Sequence, residues 1–331
     1  MRQGFVRGVA GMVLGAAIGV AWASQDPPQV IIKVISSSIP HAALFGLSFD
    51  GGKGVAVGAG GLIYESDNAG AAWKPLLQTE TQLALLAVDR HGSHTIAVGQ
   101  MGAVLVEDAP GSWKKYDSGL QHRLLTVSVN SSGLAVAAGE FGTVAKSTDG
   151  GHSWTTAAPD WASMADKDTF GTGEPTIYAA HVSESGEVTI AGEFGVIMRS
   201  PDGGTTWQPV RAIQSKAPTI FAMQIVPKGE GNSYAVGQTG ELLVSSDGGA
   251  TWEERKRYTQ ANFLGVAAAK DGSVVITGMR TMMRSGDGGA TWSFLNNSDT
   301  TTEWYQAVRA EPTTGRILAV GHGGRIIQIG G

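Results

Sequence analysis

The sequence predicts an all-β protein: a seven-bladed β-propeller of four-stranded antiparallel blades, closed by an N-terminal strand that completes the last blade. Three observations carry this. The stretch Ser200-Pro201-Asp202-Gly203-Gly204-Thr205-Thr206-Trp207 recurs at near-regular spacing, the mark of a repeat architecture. A strand-like segment ending in glycine recurs seven times, at Gly58, Gly99, Gly139, Gly192, Gly237, Gly278 and Gly321. The chain holds 48 Gly and only 16% charged residues, as short strands joined by tight turns require.

The recurring stretch follows S-x-D-x-G-x-[ST]-W, the pattern called an Asp box. Full copies place Ser147, Asp149 and Trp154, then Ser200, Asp202 and Trp207, then Ser245, Asp247 and Trp252, then Ser285, Asp287 and Trp292. A weaker copy runs from Ser66 to Trp73 with Asn68 in the Asp place, and a damaged one, a residue short, from Glu107 to Trp113. The physics is that of a hairpin. The carboxylate accepts from backbone N–H groups further round the turn, and the glycines supply positive φ. The Trp opens the next strand with a large apolar face toward the neighbouring repeat. A catalytic or metal site does not need one acid per repeat, so these Asp residues read as structural.

In chain order, residues 1–23 read as a secretory leader: Arg2 and Arg7, a 16-residue apolar run from Gly8 to Ala23, and Ala21-Trp22-Ala23 as the cleavage site. The run is short of the ~20 residues of a spanning helix. The alternative is an uncleaved anchor. The expectation is export to the periplasm, or to a thylakoid lumen in a photosynthetic source. The chain has no Cys, which excludes a lipoprotein anchor, disulfides and Cys-ligated metal. Loss of Arg2 and Arg7 takes the net charge from −5 to −7. An acidic chain without basic runs argues against nucleic acid. Its one basic cluster, Arg255-Lys256-Arg257, follows Glu253-Glu254 and reads as a solvated loop.

After the leader, Gln29–Ile35 is β-branched and strand-like. Each repeat then has one plan: an apolar strand such as Leu124-Leu125-Thr126-Val127, a turn, a strand ending in Gly, a G-x-x-G turn, a third strand, and the box turning into a fourth. The blades fall at about 44–80, 81–120, 121–158, 176–213, 217–258, 260–297 and 303–331, a single domain over 24–331. The chain ends after the third strand of blade seven, so segment 28–36 is expected to supply the missing outer strand and leave no open gap.

With seven glycine-ended strands and the S-x-D-G-G-x-T-W boxes behind an export signal, residues 30–331 resemble the photosystem II stability/assembly factor-like family, in its non-photosynthetic bacterial branch. The resemblance implies a non-enzymatic scaffold for a membrane protein complex or its exported segments, with RND-type exporters among the candidate clients. Photosynthetic members carry an arginine-rich patch. This chain departs from it with Glu140-Phe141 and Glu193-Phe194 at the comparable turns, which counts against a photosystem II client and leaves it as one candidate beside the exporters.

Strand alternation puts the boxes on one face and the G-x-x-G turns on the other. The second face is where sequence leaves the repeat: Ala59-Gly60, Gln100-Met101, Glu140-Phe141, Glu193-Phe194, Gln238-Thr239, Met279-Arg280 and His322-Gly323. The candidate partner-binding residues are Glu140, Phe141, Glu193, Phe194, Met279, Arg280 and His322, with Trp161, Met164 and Phe170 from the longest insertion. Trp154 to Gly192 spans 38 residues, against 26 from Trp113 to Gly139. These three insertion side chains either pack on the propeller or touch a partner. A monomer is expected. No cofactor or metal is implied, since the seven His show no ligand spacing. The alternatives are a glycan- or peptide-binding propeller and a sialidase-like glycoside hydrolase. The hydrolase needs an Arg clamp or two carboxylates facing one sugar, for which Glu140 and Glu193 are the candidates. Arg123, Arg280, Arg309 and Arg325 are scattered over the blades.

Overall fold

The computed structural model describes Met1 and residues 31–36, 42–76, 79–164 and 174–330. The leader read at 1–23 and Phe170 lie outside the described residues. The described residues between 31 and 330 form seven four-stranded antiparallel sheets, six of them built in sequence order from an inner to an outer strand. The seventh takes its outer strand from the N-terminus: Ile32–Ser36 pairs with Ile326–Ile329, with Ile32 opposite Ile329 and Val34 opposite Ile327. The ring is therefore closed by hydrogen bonds between the two ends of the domain.

The core lies between blades. The second strands, such as Ala135–Gly139, Val188–Gly192 and Ile317–Gly321, are buried along their whole length. Each is covered on both faces by its neighbours, so it reads as a continuous apolar run rather than an alternation. One cluster joins Ile96, Val98, Val104 and Val106 of blade two to Leu124, Val127 and Val129 of blade three, with Trp154 packed against it. A fully buried Val or Ile stabilises by about 1.5–3 kcal/mol. Several per boundary outweigh what any turn contributes.

The second-strand glycines are fixed by close approach. A Cβ at Gly58, Gly99, Gly139, Gly192, Gly237, Gly278 or Gly321 would stand 1.9–2.3 Å from a carbonyl oxygen at the start of its own blade. The backbones meet there because the next residue donates to that same carbonyl, as Glu140 N does to Arg123 O at 3.1 Å.

The box turns are closed by their own side chains. Ser200 Oγ donates to Asp202 (2.8 Å) and accepts from Gly204 N (2.8 Å); Asp202 also accepts from Thr206 N (2.8 Å) and Thr206 Oγ1 (2.7 Å). Ser147, Ser245 and Ser285 repeat this with Asp149, Asp247 and Asp287. Asn68 stands in for Asp in blade one, accepting from Ser66 Oγ and Ala72 N. The damaged copy of blade two is replaced by a tight reversal over Pro110-Gly111, with Gly111 at φ 74° and Ala109 opposite Ser112. Box tryptophans pack between blades. The ring N–H of Trp154, Trp252 and Trp292 goes to the box's own second glycine at 3.0–3.1 Å, whereas Trp207 reaches Ala157 O of blade three at 2.8 Å.

Each inner strand slips register at one residue: Phe45, Leu86, Leu125, Tyr178, Phe221, Leu264 and Gln306. Such a bulge re-aims a side chain. Here it turns all seven toward the central channel, at its G-x-x-G end.

Candidate functional site

The G-x-x-G turns are built in two halves with different jobs. The first turn residue is tied inward. Glu140 Oε1 accepts from Arg123 Nε (2.8 Å), and Glu193 Oε2 accepts from Thr176 N (2.8 Å). Gln100 and Gln238 make the same kind of bond to Ala84 N and Thr219 N. The hydrogen bond from Arg123 holds the Glu140 carboxyl below the usual carboxylate range. The structure thus gives Glu140 and Glu193 an internal role, fastening each turn to its blade's first strand. A glycosidase's general acid must hold a proton near neutral pH, and Glu140 is pushed the other way.

The second turn residue faces out on left-handed backbone: Gly60 (φ 64°), Met101 (54°), Phe141 (51°), Phe194 (61°), Thr239 (53°) and Gly323 (65°). Met101 is 67% exposed and Phe141 61%. Phe141 leans on His122, ring centroids 4.9 Å apart, and Phe194 is half-buried.

Blade six differs from the expected G-x-x-G turn. It spends four residues between Thr277 and Met282 where blade five spends five between Val236 and Leu242. Arg280 (φ 53°) consequently stands where other blades place their second glycine. Its N–H donates to Glu303 O at 3.1 Å, as Gly142 N does to Pro175 O in blade three. Met279 (46% exposed) and Arg280 still reach the surface. Beside them Trp304 stacks on Phe45 (6.0 Å, 8°) and lies 5.9 Å from the His322 ring, while His322 Nδ1 meets Glu303.

The insertion packs down. Trp161 is 5% exposed, sits in the cluster between blades three and four, and donates its ring N–H to Gly142 O at 2.9 Å. Met164 packs against that cluster. Of the two readings left open for Trp161, its position is the packed one: its apolar ring caps the blade boundary and its ring N–H is used. The basic cluster is corrected. Arg257 is not merely solvated, because it pairs with the fully buried Glu241 at 2.6 Å, where Arg211 of blade four approaches to 3.4 Å. Burial, then Glu254, raises the Glu241 pKa, and the two guanidinium groups oppose that rise. Among the described residues no group of three or more His, Asp or Glu is arranged to hold a metal ion.

No family model and no curated protein matches this chain. Solved structures do. "YCF48 bound to D1 peptide" aligns over 92% of this chain and 98% of its own, at 18% identity and a TM-score of 0.67. YCF48 from Cyanidioschyzon merolae aligns over 90% and 98%, at 18% identity and 0.68. The WD40 propeller domain of Doa1 aligns over 91% and 97%, at 11% identity and 0.67. At these identities the likeness is one of fold alone.

Proposed function

We propose that the protein is an exported, non-enzymatic docking scaffold that holds a segment of a membrane protein complex on its G-x-x-G turn face. One observation carries the reading. Gly60 and Gly323 fit the outward turn position without strain, yet adjacent blades two and three place Met101 and Phe141 there. Left-handed backbone costs a side-chain-bearing residue about 1–2 kcal/mol. A large apolar group held on such backbone, and left mostly facing water, is a local cost that the contact of Phe141 with His122 offsets only in part. Apolar anchors of this kind are what a docking surface needs. A structural neighbour with a peptide bound supports a segment of chain as the thing held. The inward use of Glu140 and Glu193 speaks against hydrolysis.

A photocrosslinking residue at Met101 or Phe141, with Asp202 on the box face as control, tests this in cells. Capture of one membrane protein from the first two sites and not from the third is the expected result. Its identity then decides between an exporter, a photosystem-like complex or another client. Equal labelling from all three, or none, would sink the turn-face assignment.

A further inference from the structure

The central channel carries a second arrangement, independent of the turn tips. Its mouth on the G-x-x-G side is the collar of bulged residues, apolar in six blades and Gln306 in the seventh. Tyr178 and Phe221 meet edge-on at 5.1 Å. Deeper in, Arg309 lines both the cavity of about 100 Å³ at the collar and the cavity of about 180 Å³ below it. Its guanidinium donates to the carbonyl of its own neighbour Val308 at 2.9 Å and makes no ion pair among the described residues.

The other polar groups of the channel are largely spent on holding the blades together. Asp89 accepts from Ser48 Oγ (2.9 Å), Arg90 N (3.1 Å) and Val129 N (2.9 Å). Ser128 accepts from Val182 N (3.0 Å), and Gln224 from Ala268 N (2.7 Å). In each case a side chain caps an inner-strand N–H of the next blade, a group that would otherwise face the channel unpaired. Burial lowers the His181 pKa, which keeps that ring neutral. Arg309 is exposed to the channel and, beyond its bond to Val308 O, keeps donors directed into it with no ion pair among the described residues.

We propose that the channel is a binding site for an aliphatic carboxylate, its anionic end on Arg309 and its tail in the collar. A guanidinium fork matches a carboxylate with two parallel hydrogen bonds. The nearby Asp89 charge disfavours a phosphate dianion. An apolar wall with one convergent charged group is the usual make-up of a small-molecule pocket. The carboxylate has two sources, a free acid or the end of an apolar peptide.

Titration calorimetry of the full chain with hexanoate, hexanol and inorganic phosphate tests this, on the native protein and on Arg309→Gln and Phe221→Ala. The expected result is saturable one-to-one binding of hexanoate alone. Arg309→Gln should weaken it at least tenfold with the melting temperature unchanged, and Phe221→Ala should weaken it as well. Displacement of hexanoate by an apolar peptide acid, and not by its amide, would support a chain end as the source. Failure of both to displace it would support the free acid. Absence of hexanoate binding, equal binding by Arg309→Gln, or tighter binding of phosphate would overturn the proposal. None of these outcomes bears on the turn-face crosslinks.

Discussion

At the scale of the residue, each of the four full boxes is held by hydrogen bonds to one carboxylate. Thr206 and Thr291, through backbone and hydroxyl, pull Asp202 and Asp287 down to about 2. A folded-state pKa below the unfolded one, ~3.9 for Asp, stabilises fully above the unfolded value and is lost as pH falls through the folded one. The melting temperature should therefore fall between pH 4 and pH 2, and an Asp202→Asn, Asp287→Asn double variant should show a shallower fall. Ser200 is fully buried. Ser200→Ala strands the Gly204 N–H and should cost about 1–3 kcal/mol by denaturant unfolding. The box residues and their role were legible in the sequence because the repeat prints them many times over. Glu140 and Glu193 were harder to read. They look variable when each turn is taken alone, but Gln or Glu fills the first turn position in blades two to five, and that recurrence is the sign of a structural bond.

At the scale of the element, the turn is where folding and binding pull apart. Phe141→Gly should relieve left-handed strain and, net of glycine's own entropy cost, stabilise the protein by about 0.5–1 kcal/mol. Differential scanning calorimetry would register this as a rise of about 1–2 °C. Gly192→Ala should do the opposite, since its Cβ would lie 2.2 Å from Thr176 O. A loss of about 2–3 kcal/mol is expected as the first and second strands are forced apart. The short turn of blade six was hidden from the sequence because Gly278-Met279-Arg280 resembles its neighbours until the strand register is known. The bulged inner strands were written as apolar doublets, Leu85-Leu86, Leu124-Leu125 and Ile220-Phe221. Two consecutive apolar residues break the alternation of a half-buried strand. Both are buried only if a bulge sends one of them into the channel.

At the scale of the whole molecule, stability is shared among blade boundaries and secured by one closure. Removing residues 32–36 would expose the edge of Ile326–Ile329 and free blade seven. A fall of the melting temperature by roughly 5–10 °C, with faster proteolysis at the C-terminus, is expected. An unchanged melt would mean that side-chain packing alone holds the ring. Closure was readable from a count: seven glycine-ended strands, six box tryptophans and one spare N-terminal strand. The fate of the long insertion was not, because apolar residues in a loop look the same whether they face a partner or the protein, and only packing placed Trp161 inside.

The central claim is that the outward turn residues are kept for a partner at the expense of the fold. It is tested most directly by recovering the protein from detergent-solubilised membranes as the wild type and as a Met101→Gly, Phe141→Gly variant, with both melts recorded. The account predicts a variant that melts at or above the wild-type temperature and brings down no client. A variant that retains its client at the wild-type level would contradict it.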